Sequence, residues 1–174
     1  MTLDAANLGD SGFAVFRADS KNKLKLVFQN KPSQIAFNMP HQCGGETGDT
    51  WAEIEESVTK VKEADIVVAY TDGLADNVWV EDMPQCIEQL LEGGLVSSLS
   101  QAADCLARKA SLLGKSPTYL SPFNVNWKQA FIQGLPMGTE PPAEYDFKGG
   151  KADDVTVTVA QIFKASKVID LQND

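Results

Sequence analysis

The chain has 174 residues, 43% of them hydrophobic and 22% charged, which fits one soluble globular domain with a sizeable core. Its 15 Lys and Arg stand against 24 Asp and Glu, and a formal net charge of −9 disfavours nucleic-acid binding, which rests on basic phosphate contacts. Apolar runs stop at about five residues, far short of the ~20 needed to cross a bilayer, so no transmembrane segment is expected.

The start reads as β. Ala5–Leu8 and Phe13–Arg17 flank Gly9-Asp10-Ser11-Gly12, which predicts a hairpin. Leu24–Phe28 alternates like a third strand, giving an antiparallel meander. Asn30–Asp49 is irregular, with Pro32, Pro40 and Gly44-Gly45. Trp51, Ile54, Val58 and Val61 recur at helical spacing, yet Val58–Val61 also reads as a strand, and periodicity leaves both open. After a turn at Lys62–Asp65, the β-branched run Ile66–Tyr70 predicts a buried strand.

Met83–Leu91 predicts a helix capped near Asp82 and ended by Gly93-Gly94. A second helix carries the stripe Leu99, Ala102, Ala103, Leu106, Ala110 and Leu113, with Ser98 or Ser100 as cap and Gly114 as stop. Ser116–Gly150 holds five of the eight prolines and reads as loop, with Met137–Ala143 as an exposed insertion. Val155–Phe163 predicts the last strand, and a domain over 1–165 is followed by a polar tail over 166–174. The order β-rich, α-α, β predicts an α+β fold with helices on one face of a sheet.

Cys43, Cys86 and Cys105 are odd in number and scattered, which predicts free thiols in a reducing compartment, Cys86 and Cys105 serving as core filler. One histidine, His41, excludes a His-rich zinc site. The first residues show neither a signal nor a transit peptide.

Two acids stand where strands meet turns. Asp72 follows the strand Ile66–Tyr70 and precedes Gly73; Asp153 follows Gly149-Gly150 and precedes the strand from Val155. Acids from two strands can converge on one Mg²⁺ or Mn²⁺, which takes oxygen ligands. Asp-Gly and Asp-Asp are equally ordinary turn chemistry.

Three segments in order resemble the PPM-type (type 2C) metal-dependent Ser/Thr protein phosphatases: Ala6-Asn7-Leu8-Gly9-Asp10-Ser11-Gly12-Phe13, Tyr70-Thr71-Asp72-Gly73-Leu74-Ala75-Asp76-Asn77, and Gly149-Gly150-Lys151-Ala152-Asp153-Asp154-Val155-Thr156-Val157. Phe37-Asn38 before Pro40 and Ser121-Pro122-Phe123 look most like the branch typified by the yeast mitochondrial member. The resemblance implies an α-β-β-α sandwich of antiparallel sheets flanked by helices. It implies two Mn²⁺ or Mg²⁺ ions bridging a water that attacks a phosphoserine or phosphothreonine of a phosphoprotein substrate. Matching positions make Asp72 and Asp153 ligands of one metal. Asp154 stands beside a ligand, Asp10 and Gly73 are structural, with Asp10 fixing the hairpin, and Asp76 is a turn residue or a support behind the ligands.

The resemblance covers only the C-terminal part of the family's domain. The family's bridging Asp-Gly motif comes before the Gly-Asp-Ser turn, and here no Asp-Gly precedes Gly9. The expectation is a truncated phosphatase, inactive as given, with at most one partial metal site. The alternative is a non-catalytic binding module or pseudophosphatase keeping part of the fold. The compartment, mitochondrial or cytoplasmic, is left open, as is the oligomeric state.

Overall fold

In the computed structural model, residues 1–44, 48–135, 140–142 and 145–164 are described. The expected tail over 166–174 lies outside them, as does most of the expected insertion over 137–143. The strands are β1 (Thr2–Asn7), β2 (Gly12–Ala18), β3 (Leu24–Gln29), β4 (Gln34–Ala36), β5 (Met39–Pro40), β6 (Glu55–Lys60), β7 (Ile66–Tyr70), β8 (Leu91–Glu92), β9 (Leu95–Val96) and β10 (Val157–Gln161). The helices are α1 (Asp72–Ala75), α2 (Pro84–Glu88), α3 (Leu99–Gly114) and α4 (Pro122–Gln133).

A four-stranded sheet in the order β10-β7-β2-β3 forms the centre, with each neighbouring pair antiparallel. Alternation along its strands sends side chains to two faces. Ala14, Phe16, Ile66, Val68 and Val159 face the helices and join Leu74, Met83, Ile87, Leu106 and Ala110 in the main core. Phe13, Val15 and Val67 face the other way, toward Leu3, Ala5 and Val61. That second face is covered by a separate two-stranded antiparallel sheet of β1 and β6. The α+β class with helices on one face of a sheet is therefore observed.

The expected hairpin between the first two strands does not form. β1 pairs with β6, and β2 pairs with β3 and β7. β2 is buried on both faces and occupied on both edges, so it leaves no edge for β1. The Gly9–Ser11 turn, with Gly9 at φ +98°, instead carries the chain from one sheet to the other. The open choice at 51–61 resolves as a 3₁₀ turn at Trp51–Glu53, closed by a Thr50–Glu53 capping box, followed by the strand β6.

The helix expected over 83–91 is only α2, preceded by a 3₁₀ turn at Val80–Asp82 and without a side-chain cap. Gly93 and Gly94, both at positive φ, are the turn of the β8–β9 hairpin rather than a helix stop. α3 follows its apolar stripe and is capped by Ser98, which accepts from the Gln101 amide. α4 is a helix inside the segment expected to be loop. Its proline is Pro122 at the first turn, where a missing amide costs nothing, and Ser121 caps it. The free-thiol expectation is also corrected: Cys86 on α2 and Cys105 on α3 form a disulfide, because packing of the two helices brings their Cα atoms to 5.6 Å. Cys43 is free and exposed.

Candidate metal centre

β7 and β10 deliver the two acids noted in the sequence. Pairing continues beyond the strand ends: the Thr71 amide donates to the Thr156 carbonyl (3.1 Å), and the Thr156 amide donates to Thr71 Oγ1 (3.0 Å). Segment 153–156 is thereby drawn alongside Asp72, the first residue of α1. The approach demands glycine next door. A Cβ on Gly73 would run into the Asp154 carbonyl.

The Gly149-Gly150-Lys151 turn is held from three sides. The Gly149 carbonyl accepts from Ser121 Oγ (2.8 Å) and Asn124 Nδ2 (2.6 Å) at the start of α4. The Gly150 amide donates to the Ser116 carbonyl (2.8 Å), and a Cβ on Gly150 would overlap the backbone at the end of α3. Buried Asn77 accepts the Lys151 amide at Oδ1 (2.9 Å), while its Nδ2 donates to the carbonyls of Lys151 (2.7 Å) and Gly73 (2.9 Å). Asn77 thus joins the turn before β10 to the helix that carries Asp72 and Asp76.

The result is a cluster in which one carboxylate oxygen each from Asp72, Asp76 and Asp153 lies within 4.8 Å of the others. Lys151 sits among them. Its Nζ donates to Asp72 Oδ2 (2.9 Å) and Asp76 Oδ2 (2.6 Å) and lies 3.2 Å from Asp153 Oδ2. Burial pushes the Asp76 carboxyl up to about 6 against the pull of Lys151. Burial pulls Lys151 down, but its hydrogen bonds to Asp76 and Asp72 outweigh that and hold it above its ordinary value. Asp10 is also raised, first by burial and then by the Asp72 charge.

Asp10 therefore faces the acidic cluster, and the hairpin it was expected to fix does not exist. Asp76, expected as a turn residue or support, presents its carboxylate with the other two. Asp154 is exposed; its amide donates to Asp153 Oδ1 (2.9 Å), and its carboxylate is not part of the cluster. The sequence reading missed the positions of Lys151 and Asn77. The available signal was a single cation between two glycines and two acids, and one asparagine after an Asp-Gly turn.

The donor set fits a hard divalent cation. Adjacent oxygens around an octahedral ion with bonds of about 2.1 Å stand about 3 Å apart, and opposite ones about 4.2 Å. One oxygen from each of the three acids lies within 4.8 Å of the others, close to that range, and the cluster already accepts an ammonium at contact distance. A groove of about 430 Å³ opens over it, lined by Asp10, Asp72 and Asp76 and walled by Phe37, Trp79 and Phe123. Phe123 also lies under Lys151, with Nζ 5.0 Å from its ring centroid.

No family model matches the chain. It is 35% identical over 164 residues to the rice (Oryza sativa subsp. japonica) "Probable protein phosphatase 2C BIPP2C1", covering 94% of this chain and 25% of that protein. It is 31% identical over 161 residues to the zebrafish (Danio rerio) "Protein phosphatase PTC7 homolog", covering 91% of this chain and 50% of that one. The solved photosystem II phosphatase PBCP superposes with a TM-score of 0.73 at 25% identity, over 93% of this chain and 59% of that chain. By sequence and fold the chain belongs to the type 2C, PPM-type, protein phosphatases. Within them its place is the PTC7-like branch. It spans a quarter to a half of the length of these curated relatives. Among the described residues no helix is long and apolar enough to cross a membrane.

Proposed function

We propose that this chain carries part of the catalytic centre of a metal-dependent protein serine/threonine phosphatase, with Asp72 and Asp153 holding one Mn²⁺ or Mg²⁺ and Asp76 joining them. The observation that carries this is the convergence of three carboxylates, from the two ends of α1 and from the turn before β10, with Asp72 and Asp76 lining an open groove. When bound, such an ion would supply Lewis-acid polarisation of a phosphoryl oxygen.

The chain's own residues bind, orient and screen. Asp72, Asp76 and Asp153 concentrate negative charge that repels a phosphate dianion until a cation neutralises it, so cation and substrate charge are coupled at one place. Asn77 fixes the distance between the two carboxylate-bearing segments. Phe37, Trp79 and Phe123 offer apolar walls to the residues flanking a phosphorylated side chain. Among the described residues one acidic cluster is dense enough for a divalent ion. The phosphatase reading calls for a second ion, bridged to the first by a further carboxylate. One cation held by this stretch falls short of the bridged pair that the phosphatase reading calls for, so no turnover is expected of it by itself, and a non-catalytic binding module would share that property.

The test is calorimetric titration with Mn²⁺, paired with hydrolysis of a phosphothreonine peptide. Wild type is expected to bind one Mn²⁺ weakly, Asp72→Asn to lose that binding, and neither to turn over the peptide. Absence of Mn²⁺ binding by wild type, or binding indifferent to Asp72→Asn, overturns the metal centre. Turnover abolished by Asp72→Ala would keep the phosphatase and discard its inactivity.

A further inference from the structure

Lys151 places its ammonium among the carboxylates that would hold the proposed metal ion. Its Nζ takes one oxygen from each of Asp72, Asp76 and Asp153, the same carboxylates that form the cluster. An oxygen that donates its lone pair to a cation cannot hold an ammonium at contact distance on the same side, and two positive charges in that space repel. We propose that Lys151 is a built-in competitor cation: it offsets part of the carboxylates' charge in the metal-free chain, and a divalent ion binds only by displacing it, so Lys151 sets the metal concentration at which the centre fills. This rests on the metal-centre reading above.

Two features make the side chain displaceable while its backbone stays put. The Lys151 amide and carbonyl are both bound to Asn77, and the preceding Gly150 is packed against the end of α3. The ammonium, by contrast, is tied to the acids and the Phe123 face alone, on a flexible four-carbon stem that is 22% exposed toward solvent. A lysine that merely cemented the loop would behave oppositely on removal, because the carboxylates would splay and metal affinity would fall. A competitor leaves behind three uncompensated acids that want a cation more.

The experiment compares wild type, Lys151→Met and Lys151→Arg by Mn²⁺ calorimetry, by the electron paramagnetic resonance signal of free Mn²⁺, and by melting with and without Mn²⁺. Lys151→Met is expected to bind Mn²⁺ about tenfold or more tightly than wild type, since one opposing charge at contact distance shifts an equilibrium by at least that much. It should melt lower without metal and gain more from saturating Mn²⁺. Lys151→Arg keeps the charge and should bind like wild type or more weakly. Should Lys151→Met fail to fold, the wild-type Lys151 side-chain resonances decide: they must shift when Mg²⁺ is added and the Gly73 amide shifts. Equal or weaker Mn²⁺ binding by folded Lys151→Met, or Lys151 resonances that stay still while Gly73 moves, overturns the competitor. Failure of both wild type and Lys151→Met to bind any divalent ion overturns the metal centre itself, and the competitor with it.

Discussion

Asn77 shows how a residue that touches no reacting group can decide the site. Its amide makes hydrogen bonds to both peptide groups of Lys151's position and to the carbonyl of Gly73, all of them buried or half-buried. Truncation leaves the Lys151 amide without its acceptor and lets the turn before Asp153 drift from α1. Asn77→Ala is expected to cost about 2–3 kcal/mol, as buried partners left unsatisfied do, and to weaken Mn²⁺ binding in the same preparation. Urea unfolding and Mn²⁺ titration check both; a stability loss with unchanged metal affinity would show that the clamp does not set the carboxylate spacing. Such roles are poorly legible in sequence. Asp72 and Asp153 stand out because each abuts a β-branched run. A lone asparagine or lysine carries no periodicity, and its partner 74 positions away is visible only once the chain has folded.

At the level of elements, patterning succeeds where one face is apolar and fails where the anchor is irregular. α3 and β7 follow their stripes because each packs on one core. α4 hides because its prolines dominate the segment and its fixed points are Ser121 and Asn124 on the Gly149 carbonyl, not an apolar stripe. α2 is short and needs other fastenings. One is the disulfide to α3; another is Glu88, whose Oε2 accepts Lys23 Nζ (2.8 Å) and whose Oε1 accepts the Leu24 amide (2.8 Å), tying α2 to β3. The Lys23 hydrogen bond, ahead of other causes, holds the Glu88 carboxyl below its usual value of 4.5. A depressed folded value means the contribution is present above the unfolded pKa and is lost as pH falls through the folded one. Glu88→Gln is therefore expected to lower stability by roughly 1 kcal/mol at pH 7, with the gap to wild type closing in acid, below the ordinary carboxyl value of 4.5. Urea midpoints at neutral pH and in acid check this, and a gap that persists in acid would assign the effect to packing.

For the molecule as a whole, the two faces of the central sheet are unequally secured. Among the described residues the helix side holds sixteen buried residues in one cluster, and the other side holds three, Phe13, Val15 and Val61. Among the described residues the strands that cover that weaker side are β1 and β6, and a two-stranded sheet is marginal without a large apolar face behind it. An open apolar groove lies between β1 and the central strands, lined by Leu3, Ala5, Phe13 and Val67. Arg17 and Asp65 reinforce the central sheet instead: Nε and Nη2 each donate to one Asp65 oxygen at 2.7 Å, and Asp65 is buried. Local stability follows buried apolar contact. Hydrogen exchange should accordingly show amides of Thr2–Asn7 and Glu55–Lys60 exchanging at least about tenfold faster than those of Gly12–Ala18 and Ile66–Tyr70. Addition of Mn²⁺ should protect α1 and β10 without slowing β1. Equal protection across the two sheets would mean that the thin layer unfolds only with the whole, and that the second cluster is worth more than its three buried residues indicate.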